Sequence, residues 1–287
     1  MVGSGYGGGV AASRLARAGR SVCLLERGLE RHPGEYPETF LEAAREIQID
    51  TPEAQLWSDT AIFDFRINPD LNVLVGCGLG GTSLINANVS LPPDPRVLED
   101  ARWPAASLAD REGLLTDAFA HAIQMLRPLT FPEDGPALTK LMAHEKSAKA
   151  IGQPFRRTPI NVTFEEMTNH VGVEQRVCTL CGDCVTGCNV GAKNTTLMNY
   201  LPDAWNHGAH IFVGALVRYV ARQGDAWAVH STPLAADARS STRQRCPSLQ
   251  TSWCSRLARR VNRNSAAFAR PRAGDVPCHR HPVQRQW

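Results

Sequence analysis

A glycine-dense turn at the start of this 287-residue sequence constrains its fold more than any other feature. Gly3-Ser4-Gly5-Tyr6-Gly7-Gly8 fits the pattern G-x-G-x-x-G, and an amphipathic run from Val10 to Ala18 follows directly. Ser21-Val22-Cys23-Leu24-Leu25 then reads as a short buried strand ending in Glu26. In a strand–turn–helix–strand unit of this kind, Gly3 permits the tight turn and Gly5 lets a pyrophosphate approach the backbone. Gly8 lets the helix pack close to the sheet, the helix N-terminus faces the phosphates, and the acid accepts from a ribose hydroxyl. The predicted fold class is therefore α/β, a Rossmann-like dinucleotide-binding fold. Only Met1 and Val2 precede the glycines, whereas a strand usually has about five or six residues. The fold is expected to be incomplete at both ends, with part of a substrate region.

A second glycine-dense loop follows a predicted strand at Leu71–Val75. Gly76-Cys77-Gly78-Leu79-Gly80-Gly81-Thr82-Ser83-Leu84-Ile85-Asn86 exposes many backbone N–H groups and can wrap an anion or a flat ring. This run resembles the first signature of the glucose–methanol–choline (GMC) flavin oxidoreductases, and Gly3 to Glu26 is similar to that family's FAD fingerprint. With matches near 178–217, the resemblance extends over most of residues 1–236 and is greatest to the cholesterol-oxidase-like branch. Ser90 departs from the aromatic or alanine expected there. The resemblance implies that Tyr6 and Gly7 lie against the FAD pyrophosphate and Glu26 on the adenosine ribose. It further implies that Gly81, Thr82, Asn86 and Val89 pass the pyrophosphate and the isoalloxazine ring, and that the backbone of Val217 meets adenine. Simple strand core is an equally good reading of Val217.

Between these landmarks, residues 29–68 read as a loop followed by helix, Arg111–Leu126 as an amphipathic helix, and Ala209–Val220 as a strand and turn. No residue of 104–165 has a nameable chemical role. The family's catalytic histidine context is not matched: His279 and His281 lie in a dissimilar tail, and His207 and His210 read as surface or strand-edge residues. No catalytic role is carried to any residue, and little turnover is expected of this chain by itself.

The formal net charge of +3 conceals two unlike regions. Residues 237–287 hold eleven Arg, no Lys and two Asp, a net charge of +9, which leaves −6 on residues 1–236. The acidic body gives no sign of nucleic-acid binding. The tail lacks helical or strand periodicity and reads as an out-of-frame, disordered extension. Ser252–Arg259, back-translated and shifted by one base, can encode an apolar strand ending in Ala-Ala-Gly, similar to a family segment. The domain expectation is 1–236 for the FAD-binding part and 237–287 for the tail. No apolar run approaches the roughly 20 residues of a membrane span, and without an export leader the expected location is cytoplasmic.

Four of the nine cysteines fall in Cys178-x-x-Cys181-x-x-Cys184-x-x-x-Cys188, the spacing of a bacterial ferredoxin run. Asn189 stands where ferredoxins have proline. The four are candidate ligands of a [4Fe-4S] cluster; a structural thiol-rich loop and another metal or disulfides remain alternatives. The expected function is FAD-dependent oxidation of the CH–OH group of a small alcohol or sterol, with the electron acceptor open. The alternatives are an iron–sulfur electron-transfer module and a non-functional remnant.

Overall fold

A computed structural model describes residues 1–104 and 113–234, so the expectations for 237–287 lie outside the described residues. The chain divides into two units. Of the described residues, the first takes 1–31, 39–82 and 200–234; the second takes 32–38, 83–104 and 113–199.

In the first unit, the predicted helix is α1 (Tyr6–Arg17). Its buried face is Gly9, Ala12, Ser13 and Ala16. These small residues recur at helical spacing and let α1 lie close to α5 (Tyr200–Asn206). Arg14 and Arg17 occupy the last turn of α1, where cations complement the helix dipole. The predicted strand is β1 (Cys23–Leu25), paired in parallel with β8 (His210–Phe212). Met1–Gly3 lies on its other edge: Leu25 N–H donates to the Met1 carbonyl at 3.0 Å and Gly3 N–H to the Leu25 carbonyl at 2.8 Å. Leu24, Ala12 and Ala204 are wholly buried around this ribbon.

The stretch 29–68 corrects the expectation of loop and helix. Its only helix in the described residues is the six-residue α2 (Phe40–Arg45), started by a capping box between Thr39 and Glu42. The rest supplies β2 (Ile47–Asp50), β3 (Gln55–Leu56) and β4 (Phe63–Arg66), which join the predicted strand, β5 (Val73–Gly76), in the order β3-β2-β4-β5. β2 and β4 run parallel and the other pairs antiparallel. The inward residues Gln48 and Asp64 are polar and each 1% exposed. Arg27 reaches both, donating to Gln48 Oε1 at 3.0 Å and Asp64 Oδ2 at 2.5 Å, while Asp64 Oδ1 is buried without a hydrogen-bond partner among the described residues. The unit closes with the antiparallel hairpin β9 (Ala215–Gln223) and β10 (Ala226–Pro233).

The second unit contains α3 (Leu114–Leu126), the predicted amphipathic helix, and α4 (Thr139–Ala150). It also holds a short antiparallel ribbon of β6 (Met167–Thr168) and β7 (Glu174–Gln175). Its interior combines Leu84, Val162, Val173, Ala192 and Leu197 with buried amides. Asn169 Nδ2 donates to Gln175 Oε1 at 3.0 Å, and Gln175 Nε2 to Asn194 Oδ1 at 2.8 Å. Among the described residues no helix is long and apolar enough to cross a membrane.

Candidate functional site

The two glycine loops, distant in sequence, meet in the first unit. A Cβ built on Gly81 would stand 2.7 Å from the Gly5 Cα, and Gly81 has φ +56°, a conformation L-residues rarely adopt. Gly8 is equally constrained, because a Cβ there would lie 1.9 Å from the Gly3 carbonyl oxygen. Gly7, one residue earlier, has open space around the same position. The helix that follows is capped by Gly5 with no side-chain hydrogen bond, and no acid occupies its first turn. Its positive dipole end, with no acid of its own turn against it, therefore favours an anion. Tyr6 and Gly7 form the first two positions of α1, with Gly7 exposed. Two glycine backbones in close approach, ending at a helix without a side-chain cap, fit a pyrophosphate.

Glu26 faces this loop as the spacing predicts, but its carboxylate also holds the loop together. Its Oε2 accepts from the Ser4 N–H at 2.9 Å and the Ser4 hydroxyl at 2.6 Å, and its Oε1 accepts from the Gly28 N–H at 2.8 Å. A carboxylate oxygen can accept twice, so Oε1 retains capacity for a ribose hydroxyl. The Ser4 oxygen in turn accepts from the Gly80 N–H at 2.8 Å, which ties the first loop to the second. Ser4 is fully buried. Its only signal in the sequence is a small hydroxyl residue inside the motif. Thr82 accepts from the Gly76 N–H at 3.1 Å, turning the end of β5 into the loop. Val217 lies on β9 opposite Ser231 and is half-buried.

Asp203 was also missed. This carboxylate on α5 is 1% exposed and accepts from Ser13 Oγ at 2.5 Å and from Arg17 Nε at 2.8 Å and Nη2 at 2.5 Å. Burial disfavours its charge, but the hydrogen bonds from Arg17 and Ser13 prevail and hold its pKa below the ordinary carboxylate value. It fixes α1, whose N-terminus is the anion end, against α5.

Asn86 and Val89 belong to the second unit. Val89 is exposed and bridges Ile160, and the Asn86 side chain accepts from the Asn88 N–H at 3.3 Å. The dominant polar group of this unit is Lys193, 2% exposed. Its ammonium donates to the carbonyls of Leu84 at 2.9 Å, Asn86 at 2.7 Å and Cys184 at 2.8 Å. Burial lowers its pKa to about 8, against an opposing influence of Cys184 and Cys188.

The ferredoxin-like spacing does not yield a gathered ligand set. Among the described residues no three Cys, His, Asp or Glu side chains come together to hold a metal ion. Leu180 and Gly182 both take left-handed backbone conformations, and Asp183–Val185 forms a 3-10 turn. In this loop Cys181 is exposed while Cys178, Cys184 and Cys188 are half-buried, and all four are free thiols. Burial raises the pKa of Cys178 and Cys184. Asn189 explains the departure from proline. Its Oδ1 accepts from the N–H groups of Gly34 and Tyr36, both at 2.9 Å, and its Nδ2 donates to the Tyr36 carbonyl at 3.0 Å. The loop is thereby pinned to residues 32–38, a task proline cannot perform.

Comparison with known proteins places these loops in context. Residues 6–246 match the family model for the GMC oxidoreductases. The chain is 29% identical over 224 residues to a cholesterol oxidase of Acinetobacter baumannii, covering 74% of this chain and 39% of that protein. It is 29% identical over 248 residues to a cholesterol oxidase of Mycobacterium tuberculosis, covering 80% and 41%. A similarity of 27% over 214 residues relates it to the long-chain-alcohol oxidase FAO4B of Arabidopsis thaliana, covering 75% and 25%. The chain thus spans about two fifths or less of the length of these relatives. With the family model matched over most of its length, the chain belongs to the GMC oxidoreductase family.

Proposed function

We propose that this chain forms the FAD-binding portion of an oxidoreductase acting on the CH–OH group of an alcohol or sterol. The family binds FAD, and relatives named for cholesterol and for long-chain alcohols suggest the substrate class. The observation that carries the reading is the backbone-to-backbone approach of Gly5 and Gly81, which brings the two family motifs into one cradle.

In this reading the leading N–H groups of α1, at Tyr6 and Gly7, and the backbone of Gly81 and Thr82 hold the pyrophosphate. Gly3, Gly5 and Gly8 keep side chains out of its path, and Glu26 Oε1 accepts from the adenosine ribose. Val217 lies along adenine, and Asn86 and Val89 border the isoalloxazine ring. FAD, when bound, supplies the acceptor for the hydride lost from the carbinol carbon. No residue of this chain is given the accompanying proton transfer. A [4Fe-4S] cluster on Cys178, Cys181, Cys184 and Cys188 is not part of the proposal, because their thiols are not gathered as ligands.

The test is reconstitution of the purified full chain with FAD, desalting, and acid release of what remains bound. The expected result is the paired visible bands of a flavin and FAD in the released fraction. A folded chain that retains no flavin overturns the proposal. Iron and acid-labile sulfide in an anaerobic preparation would reinstate the cluster.

A further inference from the structure

Lys193 is an unusual core residue. Its side chain is nearly inaccessible, and among the described residues it makes no ion pair. An ammonium has three donors, and here each one meets a main-chain carbonyl. Two of those carbonyls, of Leu84 and Asn86, belong to the loop that matches the family's flavin-bordering segment. The third, of Cys184, belongs to the thiol loop. Burying a charge against dipoles alone is costly, and an apolar side chain of similar volume would commonly be at least as stable. What the apolar side chain could not do is fix three carbonyls at one point.

We infer that Lys193 is a positioning residue that fastens the 84–89 loop to the thiol loop, so that the two hold their geometry together. The inference rests on the proposed flavin role of Asn86 and Val89 for its functional consequence, but its structural content does not. Two further contacts act in the same direction. Asn161 N–H donates to the Asn88 carbonyl at 2.9 Å, and Asn194 N–H, next to Lys193, donates to the Asn161 carbonyl at 2.8 Å. The backbone following Asn86 is therefore laced to the backbone following Lys193.

The experiment is hydrogen exchange of the full chain by mass spectrometry, comparing wild type with K193M and K193R. α1 and β4, in the other unit, serve as internal reference. K193M keeps the bulk and removes the donors; K193R restores a cation with several donors. The expected result is exchange at least about tenfold faster in both 84–89 and 184–188 in K193M, with α1 and β4 unchanged and partial recovery in K193R. Unchanged exchange, or a change in one loop alone, overturns the inference. If K193M loses protection throughout, K193R decides: recovery of both loops together supports fastening, and equal global loss reduces Lys193 to a general core residue. A titration with FAD adds the functional readout. K193M is expected to weaken FAD binding by about tenfold, with K193R intermediate, because small displacements of a site's supporting shell are costly. The exchange measurement needs no flavin, so a chain that fails to bind FAD sinks the functional proposal and leaves this one to be judged separately.

Discussion

Alanine substitution at Gly7 and at Gly8 should have opposite consequences although the two residues are neighbours in one motif. An alanine Cβ at position 8 would lie 1.9 Å from the Gly3 carbonyl oxygen, where a carbon and an oxygen ordinarily stand about 3.3 Å apart or more. The turn and the first helical residues must therefore separate by roughly 1.4 Å. Because both clashing groups are backbone, forced repacking here falls in the upper part of the usual cost of about 1–3 kcal/mol, against about 1 kcal/mol regained from the better helix propensity of alanine. At position 7 there is nothing within 4 Å, so only the gain of about 0.5–1 kcal/mol applies. With about 2–4 °C of melting temperature per kcal/mol in a domain of this size, Gly7→Ala should melt about 2 °C above wild type. Gly8→Ala should melt several degrees below it. The assay is circular-dichroism melting of the flavin-free chain, which keeps ligand binding out of the comparison. If Gly8→Ala melts at or above wild type, the close approach of Gly3 and Gly8 is refuted, and with it the geometry of the cradle.

Two other outcomes follow from the buried carboxylate and the thiols. Asp203 has a folded pKa below its unfolded value of 3.8, so its contribution is present above that value and is lost as pH falls through the lower folded value. Asp203→Asn should destabilise the chain at neutral pH by about 2 kcal/mol, the cost of weakening the buried Ser13 bond with a reduced share from half-exposed Arg17. The deficit should shrink below pH 3.8; a pH series of denaturant melts with a constant deficit would be the contrary result. Cys77, buried and with its pKa pushed up to about 11, should resist iodoacetamide in the native chain at pH about 8, while exposed Cys181 is labelled. Peptide mapping that finds Cys77 labelled as fast as Cys181 would contradict the packing around β5.

The glycine loops were legible in sequence because glycine records a backbone constraint directly, and α1, β1, β5 and α3 because their apolar spacing survives without tertiary help. β2 and β4 were not legible for a specific reason: the residues they turn inward, Gln48 and Asp64, are polar and meet Arg27 from a different part of the chain. Periodicity cannot find a strand whose buried face is hydrophilic. Lys193 and Asp203 were hidden in the same way, since a charged residue reads as exposed until its partners are in place. The Gly-Ala-Lys-Asn-Thr run around Lys193, with small and polar residues and no apolar stripe, offered only a faint hint of a buried lysine. For the four cysteines the sequence left a metal cluster and a thiol-rich loop both open. Spacing along the chain says which thiols could converge, and the left-handed turns at Leu180 and Gly182 determine whether they do.

The pairing of α1 with α5 also sets an order of events. Ser13 and Arg17 are made well before their partner, since Asp203 follows Arg17 by 186 positions. At translation rates of about 5–20 residues per second, the helix that carries the glycine turn waits roughly 10–40 s for its carboxylate partner. The segment 32–38 waits similarly, since Tyr36 precedes its anchor Asn189 by 153 positions. Neither unit can be completed early and left behind while the rest is synthesised. Such non-local contacts slow folding and prolong exposure of apolar surface. Apolar surface that α1 buries against α5 therefore stays uncovered on the nascent chain until α5 has been made.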